Sequence, residues 1–324
     1  MLSYVVRRLL YSVVVLVAAS FLVFTFVSVS GDPLAQLRIT PNVSEQSKQN
    51  VIDRKHLDEP IPVRYWYWVK DAVMNQFGTT LLGDRPILPD LWRVMKNTLQ
   101  LVLVAELLAV LIAVGIGVYS ALRQYSVFDY AATTVSFLGL ATPLFWLALM
   151  LQVLVVQIYE QTGHRIFPIA SLNSVDAGSG IHFVLDRAHH LVLPVVVLMV
   201  ASVASYSRYM RAAMLEVINS DYVRTARAKG LPERRVTMKH AFRNALLPLV
   251  TLVALNFGTL LGGVIVTETV FSLDGMGLYF YNALLANDPY PVMAWLMVTA
   301  TMIIVFNLIA DIAYGYLDPR VRYD

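Results

Sequence analysis

Six stretches of this 324-residue chain run for more than twenty residues nearly free of charge: 9–29, 98–121, 131–158, 191–215, 246–267 and 292–316. The hydrocarbon core of a bilayer is about 30 Å thick and takes roughly 20 apolar residues of helix to cross. Inside lipid a segment has to satisfy its own backbone N–H and C=O groups, which an uninterrupted run of this kind can do only as a helix. The sequence therefore predicts an all-α polytopic membrane protein with six transmembrane helices. Composition agrees, because 57% of the residues are hydrophobic and 15% are charged, against about a quarter charged in soluble domains. Although Arg7 and Arg8 precede the first run, it is longer than a signal-peptide core and no small-x-small cleavage site follows. It is expected to be retained.

Lys and Arg are distributed unevenly between the two sides. With the N-terminus inside, the cytosolic segments carry Arg7, Arg8, Arg123, Arg224, Arg227, Lys229, Arg234, Arg235, Lys239, Arg243, Arg320 and Arg322. Arg208 and Arg211, near the inner end of the fourth run, add to that side. The opposite short loops, 159–190 and 268–291, hold only Arg165 and Arg187. Residues 30–97 contain nine basic residues, but a loop of that length crosses largely regardless of charge. Both termini are thus expected in the cytosol. The pI near 9.0 follows from this bias and does not call for nucleic acid.

The chain has no cysteine, which excludes disulfides, thiolate metal sites and cysteine nucleophiles. Gly31-Asp32-Pro33 is a stop-and-turn signal, and residues 31–97 form the only sizeable polar region outside the apolar runs, an expected external lobe. Within it, residues 62–70 interleave aromatic and apolar positions with Arg64 and Lys70, as in a helix lying at headgroup level.

The motifs of chemistry are missing. There is no G-x-x-x-x-G-K-[ST] phosphate loop, no H-E-x-x-H and no G-x-S-x-G, so the chain is not expected to bind ATP or act as an enzyme by itself. His189 and His190 stand side by side at the mouth of the fourth run; as helical neighbours they face about 100° apart, poor geometry for a shared metal. No metal site is expected. Ionisable and polar groups inside membrane helices are functional candidates by default. Here they are Glu106, Gln152, Asn256, Glu268, Asn307 and Asp311. Glu106, nearer mid-helix, should face a cavity or a partner helix. Glu268 and Asp311 lie toward helix ends, where a carboxylate reaches water or a cation more cheaply. Glu106, Glu268 and Asp311 are the candidates for gating, with a structural pair or cap the equal alternative for Glu268 and Asp311.

Between the fourth and fifth runs lies a basic segment, 221–248, punctuated by Gly and Pro. Asp221 suits an N-cap, residues 222–229 a short helix, and Gly230 a left-handed end. Pro232 and Glu233 then open a second helix running through Val236, His240 and Phe242. A helix of about eight residues is well below the roughly 12 to 15 needed for marginal stability alone, so something must hold it. Packing on this chain's own helix ends and insertion into another protein both satisfy that demand. The small Ala226 and Ala228 and the cationic surface favour the second.

Motifs along the whole chain resemble one family. They are Asn97-Thr98-Leu99, the Pro143-Leu144-Phe145-Trp146 break, His190 to Pro194, the 221–230 segment, Arg243 to Pro248, Glu268 to Ser272, Gly275-Met276-Gly277 and the tail from residue 317 to 322. Their order and spacing resemble the B-type membrane subunit of oligopeptide and dipeptide ABC importers, binding-protein-dependent permeases of type I (MetI-like) fold. The resemblance implies a small external lobe after the first helix and divides the chain into 1–30, 31–97, a permease core over 98–316 with its coupling loop at 216–247, and a tail over 317–324. It identifies the short helix as the coupling helix of the EAA loop, with Ala226 and Gly230 at the motif's Ala and Gly. Asp221, Tyr222, Arg224, Thr225, Ala226, Arg227, Lys229 and Gly230 would then contact an ATPase. Arg224 and Thr225 stand where the general motif has Glu and Ala, a departure typical of the peptide branch. Asp274 replaces a Pro common before the Gly-x-Gly turn.

The function implied is uptake of oligopeptides or dipeptides by alternating access, in a bacterial inner membrane. The implied partners are a second, homologous permease, two ATPase domains that bind ATP and magnesium, and an external peptide-binding protein, with no cofactor on this chain. The alternatives are a proton-coupled secondary peptide transporter, or a permease of the same family for nickel chelates or glutathione. The resemblance names no substrate-binding residue.

Overall fold

The computed structural model describes residues 2–30, 45–81, 83–260 and 264–317. The Gly31-Asp32-Pro33 signal and the tail beyond Leu317 lie outside the described residues.

The first helix, α1 (Leu2–Ser30), leads by way of α2 (Glu45–Lys55) and α3 (Ile61–Met74) to the long α4 (Ile87–Leu122). Next come α5 (Val127–Ala141), α6 (Leu144–Thr162) and α7 (Ile181–Ile218). The short α8 (Asp221–Ala228) and the three-residue α9 (Glu233–Arg235) precede a π-helical stretch, Val236–Phe242, and α10 (Arg243–Leu260). Two short helices, α11 (Ile265–Val270) and α12 (Met276–Leu285), lead into α13 (Pro289–Leu317). Six helical segments are long and apolar enough to cross a membrane. All regular structure among the described residues is helical, apart from an isolated bridge between Thr79 and Pro86.

The six predicted spans are present with shifted edges. At 36 and 38 residues, α4 and α7 would measure about 54 and 57 Å at 1.5 Å per residue, far more than a bilayer core. Consequently the second span starts at Ile87 rather than 98, and residues 87–97 belong to a helix of the core, not to a separate lobe. His190 is likewise buried within α7 rather than at its mouth. The third run is two helices. Pro143 disfavours helical geometry at the residue before it, and Thr142 is extended at φ −78°, ψ 120° while its N–H still donates to Leu138 O at 3.0 Å. The fifth run is covered by two described helices, α10 to Leu260 and α11 from Ile265, with residues 261–263 outside the described residues.

The main packing axis is α4 against α7. Ala105, Ala109 and Ala113 of α4 are fully buried in the apolar clusters that also hold Val197, Leu198, Tyr206, Met210 and Met214 of α7. Small residues on the seam let two helix backbones approach closely, which is how membrane helices gain contact when lipid is as apolar as the partner. Near one end, Asp129 in the first turn of α5 is buried and takes a two-point bond from Arg211 of α7, Nε to Oδ1 at 2.6 Å and Nη2 to Oδ2 at 2.7 Å. Ser120 Oγ and the Tyr125 N–H complete its acceptors. This pair ties the α5 hairpin to the core, and Arg211 holds the Asp129 carboxyl well below the usual carboxylate range.

At the opposite end, α1, α2, α3 and the starts of α4 and α13 share one apolar cluster around Phe24, Trp68, Ile87, Leu91 and Met293. The predicted aromatic helix is α3. Tyr65 meets Phe21 edge-on at 5.1 Å and its hydroxyl lies 2.8 Å from Ser20 Oγ, so this helix leans on α1. Asp288 pins the same end: its carboxylate accepts the Leu81 N–H at 2.7 Å and the Tyr290 N–H at 3.1 Å.

Candidate functional site

The short helix α8 is built as a mounted part. Ser220, not Asp221, occupies the N-cap position, and its hydroxyl donates back to Val217 O at 2.6 Å instead of capping. The far end closes as predicted. Gly230 adopts φ +74°, its N–H donates to Arg227 O at 2.9 Å, and the Leu231 N–H reaches Ala226 O at 3.4 Å. That pair of bonds is the Schellman arrangement, in which a residue with positive φ ends the helix and lets its last carbonyls be satisfied.

Val223 and Ala226, three residues apart on one face of α8, are buried in a cluster with Ala121, Met214, Val236, Ala241 and Ala245. Ala226 therefore belongs to the mount, not to the contact surface expected of it: its methyl is small because the helix sits directly on this chain's own helix ends. Packing on this chain's own helix ends is thus what holds the segment. Tyr222, Arg224, Thr225, Arg227, Ala228 and Lys229 are exposed, along with Asp221 and Gly230. Arg227 is itself braced by Glu233, with Nη2 to Oε1 at 2.7 Å, and Arg224 lies 3.6 Å from Asp221. Tyr222 Oη accepts from Asn244 Nδ2 at 3.1 Å.

The second helix of this segment is not regular. Residues 236–242 wind as a π-helix. In an α-helix Val236 and Ala241 would point about 140° apart at 100° per residue; the wider winding brings both to the buried side under α8.

The intramembrane polar residues separate into distinct sites. Glu106 faces α7 and α10 near a cavity, as its position predicts. Its Oε1 accepts from Ser202 Oγ at 2.9 Å and Asn256 Nδ2 at 3.3 Å, and its Oε2 accepts from Tyr206 Oη at 2.8 Å. Gln152 instead clamps backbone, donating to Ile169 O at 2.7 Å and Val270 O at 3.0 Å. Asn307 is half-buried on α13. Asp311 lies on the same helix, with its side chain outside the described residues. His189 Nε2 meets Ile166 O at 2.7 Å while His190 Nδ1 meets Asp186 O at 2.9 Å, so the two rings diverge. Among the described residues no His, Asp and Glu group could hold a metal.

Glu268 corrects the expectation of an exposed helix-end carboxylate. It is completely buried, and it is held by the start of α12 and by α4. Thr98 Oγ1 donates to its Oε1 at 2.6 Å, and the Gly277 and Leu278 N–H groups donate to its Oε2 at 2.6 and 3.0 Å. Thr98 Oγ1 in turn accepts the Met276 N–H at 2.8 Å. Orphan N–H groups at a helix start favour a negative charge, so Glu268, Thr98 and the Gly275-Met276-Gly277 turn form one knot. Asn97 extends it, donating to Asp274 O at 2.6 Å and accepting from Arg187 Nη2 at 2.5 Å. Asp274 is also ion-paired to Arg93.

A seated short helix on one end of a six-span bundle, and a buried knot on the other, are the two built features. Comparison with known proteins supplies the family. Residues 113–323 match the family of binding-protein-dependent transport system inner membrane components, and residues 1–107 match its N-terminal region. The chain belongs to that family.

Full-length relatives agree. The chain is 38% identical over 325 residues to the oligopeptide transport system permease protein AppB of Bacillus subtilis, covering 100% of both chains. It is 36% identical over 341 residues to the dipeptide transport system permease protein DppB of Alkalihalophilus pseudofirmus, again covering 100% of both. With the dipeptide permease DppB of Escherichia coli K12 it shares 32% identity over 337 residues, 100% of this chain and 99% of that one. As a member of the family, this chain is a multi-pass inner membrane component of a binding-protein-dependent transport system.

Sequence reasoning missed two pairs in the family member's core. Ser202 and Tyr206 carry no signal of their own in an apolar helix. Asp129 stands just before one apolar run and Arg211 near the inner end of another, and opposite charges at the same predicted membrane boundary were the available sign of a pair.

Proposed function

We propose that this chain is the membrane-spanning permease subunit of an ATP-driven importer for oligopeptides or dipeptides, with both termini in the cytosol. The observation that carries the coupling is α8. It is too short to be stable alone, it is fixed by its buried Val223 and Ala226, and it offers a cationic exposed face of Arg224, Arg227 and Lys229. A part so mounted transmits a push from whatever engages that face.

The engaging partner is an ATPase subunit. The chain has no phosphate loop, and reversing a 1:99 population of two conformations takes about 5.5 kcal/mol of differential binding, so the drive comes from outside. Two ATPase domains supply it by binding ATP and magnesium, a second homologous permease completes the path, and an external binding protein delivers the peptide. Movement of α8 reaches α4, α7 and α10 through the cluster around Met214, Val236 and Ala245, as a rigid-body rearrangement. Peptide as the substrate is supported by the names of the full-length relatives.

The test is purification of the chain from its native membrane followed by reconstitution. An ATPase pair should copurify, and ATP should drive uptake of labelled di- to pentapeptides, with nickel chelates and glutathione failing to compete. Uptake by the isolated chain under a pH gradient would instead identify a proton-coupled carrier.

A further inference from the structure

A cavity of about 380 Å³ opens between α7, α10, α11 and the start of α6. Most of its wall is apolar, contributed by residues such as Leu144, Leu198, Leu252 and Leu260, but Ser202, Ser205, Tyr206 and Asn256 line one side. Behind that side stands Glu106, which is 4% exposed. It takes the hydroxyl protons of Ser202 and Tyr206 at 2.9 and 2.8 Å. Its partners among the described residues are all neutral.

This arrangement has a definite polarity. A hydroxyl carries one proton and two lone pairs. With those protons committed to Glu106, the Ser202 oxygen turns its lone pairs, not a donor, toward the cavity, and Tyr206 Oη keeps one, its other accepting Asn256 Nδ2 at 2.6 Å. A wall of acceptors, backed by a carboxylate that accepts hydrogen bonds from Ser202, Tyr206 and Asn256 and meets no cation among the described residues, selects a cationic donor over a neutral or anionic one. The apolar remainder of the cavity is indifferent to sequence. One group that every free peptide carries fits both features.

We propose that Ser202, Ser205 and Tyr206 form a subsite for the ammonium of a peptide's free N-terminus, with Glu106 as the residue that positions the hydroxyls and supplies the negative charge. This rests on the peptide-importer function proposed above. It explains how one path can hold peptides of many sequences by a feature common to all of them.

The probe is trialanine bearing a photoreactive diazirine at its C-terminal residue, prepared with a free and with an acetylated amino group. Both are cross-linked to the complete permease–ATPase complex in nanodiscs, without the external binding protein, so that the binding protein's own preference plays no part. Charged hydrogen bonds of this kind predict a preference of about tenfold for the free amine. In Glu106→Gln the preference should fall to about one, with labelling by the acetylated peptide unchanged. In Ser202→Ala it should fall part-way. Equal labelling of both peptides by the wild type, an unchanged preference in Glu106→Gln, or an equal loss of both peptides in that variant overturns the proposal. If Glu106→Gln does not assemble, Ser202→Ala and Ser205→Ala decide: an unchanged preference in both overturns it. ATP-driven uptake by the wild-type complex with its binding protein is the separate control, and its absence would defeat the importer function itself.

Discussion

Gly275 shows how closely single atoms are specified. A Cβ on this residue would lie 2.3 Å from the Glu268 carboxylate carbon, because the turn before α12 is pressed against the acid that holds it. Overpacking of this kind typically costs 1–3 kcal/mol. Gly275→Ala should therefore lower the thermal midpoint of the detergent-solubilised protein, and an unshifted midpoint would show that Glu268 can move aside. Gly230 is different, for nothing surrounds its missing Cβ and only its φ of +74° matters. A non-glycine residue there costs roughly 1–2 kcal/mol in backbone strain. Gly230→Leu thus disturbs the mount of α8 as well as its surface, and Ala228→Trp, on the exposed face, is the cleaner probe of docking. It should preserve assembly of the chain and abolish ATP-driven uptake. Glu106 was legible from its mid-helix position alone. Its partners were not, since Ser202, Tyr206 and Asn256 lie 96, 100 and 150 residues away along the chain, and a single sequence does not register such distances.

Among the elements, α8 was the most legible, because its glycine end and its short length are local signals. What local signals could not assign was which face turns inward. Both Ala226 and Ala228 are small, and only the position of Val223 three residues earlier on the same face separates mount from surface. The break at Pro143 is likewise local chemistry, whereas the early start of α4 was hidden by its charged first turns, Asp90, Arg93 and Lys96. The α5 hairpin depends on a long-range pair. Asp129→Asn would leave Arg211 without its anion, and removing one partner of a part-buried charged hydrogen-bonded pair costs about 1–3 kcal/mol. The expected outcome is a lower thermal midpoint and faster proteolysis in the 123–126 turn. The folded Asp129 value lies below the unfolded one, so this stabilisation is present above the ordinary carboxylate range and is lost only as pH falls through the depressed value. The wild-type midpoint contributed by this pair should be flat from pH 5 to 8.

At the scale of the whole molecule, the two ends of the bundle are built for different tasks. One carries a seated helix with an exposed cationic face; the other is knotted by Glu268, Thr98, Asn97 and Arg187, with Asp288 accepting the Leu81 N–H. A rigid far end and a mounted near end suit a body that rocks as a unit when pushed. The six spans follow from hydropathy, which is why this level was the most readable in the sequence. The most direct test of the account is ATP-driven uptake of a labelled peptide by the reconstituted complex carrying Arg224→Glu and Lys229→Glu on α8. Loss of ATPase binding and of uptake, with the permease pair still assembled, is the predicted result. Wild-type uptake in that variant would contradict the assignment of α8 as the coupling element.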